Sequence, residues 1–290
     1  MTGDIRVVGV SLVRDEDLVA PWAWTNVLDF CDRLIILDNG SADRTRAIAA
    51  ELALRHSHVE LHDVPDAYDT HRFVEPLAGR PVWVLGVDGD EIYDRDGLAQ
   101  LKASLRAGRY DRWWSLVGHT LHVMRGDLGE GRAGGFASPA SRSITKLYNF
   151  GAIESWRQGR HERLHGKDMV FRPGWDRGML YRFDQEMGWS ESDFRCLHLC
   201  FMPRSSRETA GSRPRDNPVE ARSRRKPFNS LERGARRLLG LPERRPNYKL
   251  TYYAVGDCET RTLAGFGRPV DALAFDTHAA AADTRLAEAM

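Results

Sequence analysis

The feature that most constrains the fold of this chain is the alternation of short apolar runs with helical patterns through its first hundred residues. Four runs rich in β-branched residues are typical of buried strands: IRVVGVSL, RLIILD, HVELHDV and VWVLGVD. Residues 17–31, 45–54 and 94–105 place apolar side chains at helical spacing. Because parallel strands in sequence need a crossover long enough to hold a helix, the alternation predicts an α/β fold with a mainly parallel central sheet.

The pattern changes after residue 110 and divides the chain into four segments. Strand-like pieces separated by glycine-rich loops predict an α+β half over residues 111–202, following the α/β half at 1–110. Residues 203–246 are rich in Arg, Ser, Pro and Glu, and form either a mobile basic lid or a solvated insertion. Residues 247–290 are a C-terminal extension.

Composition narrows the class of protein. With 29% charged residues and a formal net charge of +1, the chain gives no global reason to expect a nucleic-acid partner. No run approaches the roughly 18 apolar residues of a membrane span, and the first residues do not have the pattern of a signal peptide. We therefore expect a cytoplasmic protein, whose oligomeric state the sequence does not indicate. The four scattered cysteines are expected to be buried thiols rather than a zinc site.

Acidic residues stand where two of the predicted strands end. Asp38 closes the second run and Asp88 closes the fourth. The carboxyl ends of parallel strands lie at one edge of the sheet, where ligands of open α/β sheets bind. After Asp38 the segment NGSADRT begins a helix with Ser41 and Asp43 as capping residues, so backbone N–H groups face the same edge.

The segment VDGDE has two interpretations. Asp88, Asp90 and Glu91 would repel one another at close range unless a cation neutralised them. Oxygen ligands of this kind suit Mg²⁺ or Mn²⁺, which bind through one or two carboxylates together with substrate phosphates. Alternatively, the strand runs into an acidic turn that caps a helix at Asp94. The local sequence leaves both interpretations open.

Read in order, VSLVRDED, NVLDFCDRLIILDNGSADRT and VLGVDGDE resemble glycosyltransferase family 2, which has the GT-A fold. The resemblance is clear over about residues 5–105 and weaker to about residue 205. It implies that a first strand like VGVSLVRDE lines the nucleotide base and that the Asp of LDNGSADRT contacts uracil or ribose. The residues matched to nucleotide contacts are Val10, Ser11, Arg14, Glu16 and Asp38.

The same resemblance implies a metal site. Asp88, Gly89 and Asp90 correspond to the DxD-type motif, in which Asp88 faces the ribose and metal-bound water and Asp90 ligates the metal. Gly89 departs from the alanine that is more frequent in the family. The segment FRCLHLCFM presents His198 where relatives place a metal-binding histidine, and an imidazole slightly favours Mn²⁺ over Mg²⁺. A buried histidine with both nitrogens satisfied is the alternative.

The implied activity is a metal-dependent, inverting transfer of a sugar from a nucleoside diphosphate sugar, most often UDP-linked, to the hydroxyl of an unidentified acceptor. Positive charge at the diphosphate lowers the barrier, and a carboxylate takes the proton of the acceptor hydroxyl. Glu162 in RQGRHERLHG is the candidate base, with Asp184 and Glu186 as rivals and an ion pair with a neighbouring arginine as the structural alternative.

The implied reaction gives the basic segment 203–246 a role. Arg204 and Arg207 are expected to contact the diphosphate as part of a lid that excludes water. Two other functions stay open: a GT-A-like protein that binds nucleotide sugars without turnover, and a phosphatase of the haloacid dehalogenase type that uses DGDE as its nucleophile motif. The phosphatase family normally opens its chain with that motif, whereas here it follows three predicted strands.

Overall fold

The structure is a computed structural model that describes residues 6–127, 131–156, 169–208 and 252–267. The helices are α1 Ala20–Val27, α2 Thr45–Arg55, α3 His71–Val74, α4 Arg95–Arg106 and α5 Phe183–Glu186. The strands are β1 Arg6–Val13, β2 Arg33–Asp38, β3 Val59–Asp63, β4 Val82–Gly86, β5 Glu91–Tyr93, β6 Ser115–Val117, β7 His119–Asp127, β8 Arg132–Ala137, β9 Leu147–Asn149, β10 Ile153–Trp156, β11 Met169–Phe171, β12 Leu180–Arg182, β13 Arg195–His198 and β14 Cys258–Thr262. Within these residues, no helix is both long and apolar enough to cross a membrane.

A seven-stranded sheet forms the centre of the molecule, in the order β12-β6-β9-β4-β1-β2-β3. Strands β4, β1, β2 and β3 are mutually parallel, as are β12 and β6, while β9 runs antiparallel to β4 and β6. The predicted α/β architecture with a mainly parallel sheet is confirmed. Because β9 comes from the second half of the chain, the segments 1–110 and 111–202 share one sheet.

Both faces of this sheet are buried, and this explains why its strands read as continuous apolar runs. Alternate residues of a strand point to opposite faces. In β1, Val7 and Val13 join the core that contains α1 and α4, whereas Val8 and Val10 join the core on the opposite face. The sheet therefore separates two apolar layers.

A second sheet of five strands, in the order β14-β8-β7-β13-β5, packs beside the first. Strand β8 lies in the glycine-rich stretch that the sequence predicted as a loop. Gly135 explains the difference, because a Cβ at this position would overlap the carbonyl oxygen of His122 on β7. The absent side chain lets two backbones approach, and hydrogen bonds of the ladder replace β-propensity as the stabilising factor.

The described part of the C-terminal extension is integral to the fold. Strand β14 pairs with β8. The indole N–H of Trp22 and the amide of Asn26, both on α1, donate to the carbonyl oxygen of Phe266 at 2.7 Å. Phe266 itself is fully buried. Residues 252–267 therefore close one side of the core. Residues 209–246 of the predicted lid and 247–251 of the extension lie outside the described residues.

Asp94 joins the start of α4 to the second sheet. Its Oδ1 accepts hydrogen bonds from the backbone N–H groups of Asp96 and Gly97, as the capping interpretation expected. Its Oδ2 accepts the Nε–H of Arg195 on β13 at 2.8 Å. The Asp94 carboxylate is fully buried and the Arg195 side chain is 17% exposed, so each charge depends on the other for compensation.

We expect Asp94→Ala to lower the free energy of unfolding by about 3 kcal/mol, because it removes a helix cap and leaves the Arg195 charge uncompensated. Urea unfolding at neutral pH measures the change. Asp96→Ala is the matched control, since Asp96 lies in the same first turn but is exposed, and its cost should stay below about 1 kcal/mol. Equal losses for the two variants would contradict the role assigned to Asp94.

Candidate functional site

Polar side chains gather at the carboxyl edge of the parallel strands. Val13 at the end of β1 pairs with Asp38 at the end of β2, and Asp88 follows β4 two residues after its last residue. Neighbouring parallel strands end at the same edge, so the loops after β1, β2 and β4 meet there. This edge is the candidate functional site.

Asp38 is buried, and in the described structure only one of its two carboxylate oxygens accepts hydrogen bonds. Its Oδ2 accepts backbone N–H groups of Gly40 and Ser41 at 3.1 and 3.0 Å, which fixes the turn after β2. Its Oδ1 is buried and has no hydrogen-bond partner among the residues that the structure describes. A buried acceptor without a donor is costly, and such a group at the end of a strand is typical of a position that a ligand completes.

The turn after Asp38 only partly follows the predicted capping. The carboxylate of Asp43 accepts the backbone N–H of Thr45, the first residue of α2, at 2.9 Å. The hydroxyl of Ser41 instead accepts the backbone N–H of Asp15 at 3.0 Å. Asp15 has a positive φ of 49°, which is uncommon outside glycine, and its Oδ1 accepts the N–H of Ala42 at 2.5 Å. These contacts join the loop after β1 to the loop after β2.

Asp88 lies at the open side of the edge beside Lys146, whose side chain is 16% exposed. The Asp88 side chain is 55% exposed, and its Oδ2 accepts the ammonium of Lys146 at 2.5 Å. Lys146 also donates to the Oε1 of Glu91 at 2.7 Å, and the Glu91 side chain is 1% exposed. Lys146 therefore bridges one carboxylate that faces solvent and one that is buried.

The charges in this group shift its pKa values in opposite directions. Desolvation opposes ionisation of Asp88, but the charge of Lys146 outweighs it and lowers the pKa of Asp88. Desolvation and the nearby charge of Asp88 raise the pKa of Glu91 well above its ordinary value. Desolvation would lower the pKa of Lys146, but the two carboxylates outweigh it and raise that pKa. Lys146 is therefore a permanent cation, and Asp88 is the ionised partner.

Arg204 supplies a second cation, and its side chain is 15% exposed. Its Nη1 donates to the Oδ2 of Asp90 at 2.9 Å and to the Oε1 of Glu16 at 2.8 Å. Burial opposes the charge of Arg204, but the carboxylates of Asp90 and Glu16 outweigh that cost and raise its pKa. The backbone carbonyl of Arg204 accepts the N–H of Leu18 at 3.1 Å. The start of the basic segment is thereby fixed against the loop after β1.

The next residues continue this docking over the edge. The backbone N–H and the hydroxyl of Ser206 donate to the carboxylate of Asp17 at 2.7 and 2.6 Å. The hydroxyl of Ser205 donates to Asp43 at 2.5 Å, and Arg207 donates to the carbonyl oxygen of Ala42 at 2.6 Å. Residues 204–207 therefore lie across the loops that follow β1 and β2.

Packing against Glu16 explains the glycine at position 89, which the sequence left unexplained. A Cβ built at Gly89 would overlap the Oε2 of Glu16 and would approach the Cβ of Ala20 to 3.2 Å. The glycine leaves room for the Glu16 carboxylate to reach Arg204. The departure from alanine noted in the sequence thus accompanies a buried Glu16 next to the motif.

His198 reaches Asp90 because of strand register. Strand β13 runs antiparallel to β5 with His198 opposite Glu91, so the loop before β5 lies at the carboxyl end of β13. The backbone N–H of Leu199 donates to the carbonyl oxygen of Asp90 at 2.8 Å. The Nε2 of His198 then stands 3.7 Å from the Oδ2 of Asp90. Two of the predicted metal ligands, 108 positions apart in the chain, therefore face each other.

A second histidine lies beside the first. Strands β7 and β13 are parallel with His122 beside His198, and the two Nδ1 atoms are 2.8 Å apart. The Nε2 of His122 is 2.8 Å from the carbonyl oxygen of Arg142, and burial lowers the pKa of His122 to about 4. Ligand atoms of His122, His198 and Cys200 lie within 4.8 Å of one another.

Of the cysteines expected to be buried thiols, Cys258 is exposed and the other three are buried.

Several predicted residues lie elsewhere. Val10 is packed in the core and Ser11 is fully buried, its hydroxyl accepting the indole N–H of Trp24 at 2.9 Å, so neither side chain opens to the edge. Arg14 is exposed and lies 3.8 Å from Asp15. Glu162 lies outside the described residues.

Asp184 lies apart from the cluster. It is buried in α5, pairs with Arg182 at 2.8 Å and has its pKa raised by desolvation. Helix α5 contacts β6 and β7, and the charge of Asp184 acts on His119, three residues before His122 and on the opposite face of β7. The structure therefore does not place Asp184 with Asp88, Asp90 and His198, because the strand separates them.

Side chains of the chain itself compensate part of the negative charge of the cluster. Among the residues that the structure describes, Lys146 contacts Asp88 and Glu91, and Arg204 contacts Asp90 and Glu16. The sequence argument required a cation to separate the acidic residues, and the chain itself supplies two. A carboxylate facing an imidazole nitrogen is also a donor pair that suits a divalent cation.

Lys146 and His122 were missed by sequence reasoning. Each is a polar residue within an apolar, strand-like piece, SITKLYNF and HTLHVM respectively. Such residues are rarely buried without a partner, so an isolated Lys or His in a strand pattern was the available signal. Because the partner of each residue comes from a distant part of the chain, this signal identifies the residue but does not indicate its role.

We expect Gly89→Ala to lower the free energy of unfolding by about 1–3 kcal/mol, because the new methyl group displaces Glu16 from Arg204. Urea unfolding measures the loss, and Gly126→Ala is the control, since a Cβ there meets open space. In a Glu16→Ala background the same substitution should cost little. An unchanged cost in that background would show that Glu16 is not the group displaced.

No family model matches the chain. A TPR repeat-containing protein of Synechococcus elongatus, Synpcc7942_0270, is 35% identical over 94 residues, which are 32% of this chain and 23% of that protein. The chain thus matches less than a quarter of that relative's length. The crystal structure of mannose-6-phosphate isomerase from Helicobacter pylori is similar with a TM-score of 0.33 and 6% identity, covering 50% of this chain and 71% of that one. A likeness this weak carries no argument.

Proposed function

We propose that this protein is a metal-dependent glycosyltransferase of the GT-A type, which moves a sugar from a nucleoside diphosphate sugar to an acceptor hydroxyl with inversion. The observation that carries the proposal is the approach of His198 to Asp90 at 3.7 Å, at the carboxyl edge of a mainly parallel sheet. Among the residues that the sequence resemblance matched to a metal site, these two come from distant segments. Their meeting is the arrangement that the resemblance requires.

The nucleotide is assigned to the end of β2. The Oδ1 of Asp38 is a buried acceptor without a donor in the described structure, and uracil N3–H or a ribose hydroxyl would supply one. Asp88, which is more than half exposed, would face the ribose from the end of β4. The two carboxylates therefore define a base and ribose position along the edge.

The diphosphate is assigned to the space beside Asp90. Asp90 and His198 would hold Mn²⁺ or Mg²⁺, and the bound cation would supply positive charge to the leaving diphosphate. Lys146 and Arg204 add two side-chain cations to the same region. Arg204 contacts Asp90 and Glu16 in the present structure, and a bound diphosphate would offer its guanidinium a stronger anion. Arg207, three residues later, would approach the same group.

The acceptor side of the proposed site involves Glu162 and the segment that begins at Arg204. Glu162 remains the proposed general base, and it lies outside the described residues. Docking of residues 204–207 over the loops after β1 and β2 supports a covering role for the segment that begins there. Such a cover would keep water from the sugar donor and so favour transfer over hydrolysis.

The first test is metal-dependent release of nucleoside diphosphate from a panel of UDP-, GDP- and dTDP-linked sugars with Mn²⁺ or Mg²⁺. We expect slow release from one donor class, and a loss of about tenfold or more in Asp90→Asn because a metal ligand is weakened. Asp96→Asn, an exposed carboxylate six residues later, should match the parent protein. Metal-independent release, or full activity of Asp90→Asn, would contradict the proposal.

The second test concerns the nucleotide. Asp38→Asn keeps an oxygen that accepts the N–H groups of Gly40 and Ser41 but replaces the Oδ1 acceptor with a donor. We expect UDP affinity, measured by calorimetry, to fall about tenfold or more while thermal stability changes little. Asp63→Asn is the matched control, because Asp63 pairs with Asp38 in the register of β2 and β3 but is exposed. Equal UDP affinity of Asp38→Asn and the parent would remove Asp38 from the site.

A further inference from the structure

His122 makes a hydrogen bond through each of its ring nitrogens. Its Nε2 is 2.8 Å from the carbonyl oxygen of Arg142, and its Nδ1 is 2.8 Å from the Nδ1 of His198. A carbonyl oxygen can only accept, so the proton of this contact resides on the Nε2 of His122. The Nδ1 of a neutral His122 is then an acceptor, which leaves one arrangement for the contact with His198.

In that arrangement the proton between the two rings belongs to His198. The Nδ1–H of His198 donates to the Nδ1 of His122, because two lone pairs would repel at 2.8 Å. The other nitrogen of His198, Nε2, is the one that faces the Oδ2 of Asp90 at 3.7 Å. A neutral His198 in this tautomer presents the lone pair of Nε2 toward a carboxylate, which is a geometry in which both groups can bind one divalent cation.

The surroundings hold both rings in this orientation. Tyr253 stacks on His122 with ring centroids 4.5 Å apart and an interplanar angle of 18°. The same Tyr253 meets His198 edge-on at 5.1 Å and 82°. The hydroxyl of Ser141 donates to the backbone carbonyl of Tyr253 at 3.0 Å. Ser141 immediately precedes Arg142, whose carbonyl oxygen accepts from His122. His122 is fully buried, and His198 is 7% exposed, so solvent does not compete for these bonds.

We propose that His122 is a positioning residue, which together with the Arg142 carbonyl fixes His198 in the tautomer whose Nε2 is available to a divalent cation shared with Asp90. The role of the cation rests on the proposed function, whereas the tautomer does not. Partners in this position orient metal-binding histidines and raise the basicity of the coordinating nitrogen, and their loss typically costs about 10- to 100-fold in metal affinity or activity.

The tautomer can be observed without metal or substrate. Long-range ¹H–¹⁵N spectra of protein labelled in its histidines distinguish protonated ring nitrogens from those with a lone pair. His198→Gln assigns the signals, and a pH of about 8.5 keeps an ordinary histidine neutral. We expect His198 to carry its proton on Nδ1 in the parent protein. In His122→Phe the proton should move to Nε2, where Asp90 can accept it.

Two variants separate positioning from a general packing effect. His122→Asn keeps an acceptor near the Nδ1 position, so it should retain the Nδ1–H tautomer of His198. His119→Phe is the matched control, since His119 is a buried histidine on the same strand and its Nε2 contacts the carbonyl of Met187. It should leave the His198 spectrum unchanged. Thermal melting of each variant confirms that the compared proteins are folded.

Mn²⁺ binding, followed by the electron paramagnetic resonance signal of the free ion, provides the second readout. We expect His122→Phe to weaken Mn²⁺ binding by about 10- to 100-fold, and His122→Asn to recover most of the affinity. His119→Phe should bind Mn²⁺ as the parent does. A parent protein with the His198 proton on Nε2, or a folded His122→Phe with unchanged tautomer and Mn²⁺ affinity, would overturn the inference.

Failure of the inference can be distinguished from failure of the proposed function. If no sugar donor is hydrolysed but His198 shows the expected tautomer and His122-dependent Mn²⁺ binding, the positioning role stands and the transferase proposal fails. If donor hydrolysis depends on metal and on Asp90 while His122→Phe changes neither the tautomer nor the affinity, the transferase proposal stands and the positioning role fails.

Discussion

The structure depends on the compensation of buried negative charge at the carboxyl edge of a parallel sheet. Asp90 and Glu91 are nearly inaccessible to solvent, and a buried carboxylate is tolerated when a cation or several hydrogen-bond donors stand beside it. Lys146 and Arg204 provide the cations, and both come from segments that follow the first half of the chain. The edge therefore becomes a stable site only when the two halves of the chain have assembled around it.

This dependence links the candidate site to the path of the later chain. Arg204 contacts two carboxylates of the cluster, and the residues after it are held by Asp17 and Asp43 on the loops following β1 and β2. An anionic ligand at this edge would compete with those carboxylates for the same guanidinium. Under the proposed function, this competition would couple a bound diphosphate to the position of residues 204–207, because both depend on the same charges.

Whether a helix or strand could be predicted from the sequence depended on the interaction that forms it. Strands β1, β2 and β4 were recognisable because burial on both faces produces uninterrupted apolar runs, and α4 was recognisable because Asp94 is a strong cap. Strand β5 was missed because it has three residues and begins with a buried Glu91. Strand β8 was missed because glycines such as Gly135, which allow close approach to β7, are typical of loops in a sequence pattern.

The sequence by itself determined the α/β class, the parallel strands and the presence of Asp38 and Asp88 at their ends, because hydrophobic periodicity and strand polarity are local properties. Tertiary structure alone decided that His198 meets Asp90, that His122 lies behind His198, and that Lys146 and Arg204 neutralise part of the cluster. Those contacts join residues separated by 55 to 188 positions. Register between distant strands sets them, and no local pattern encodes that register.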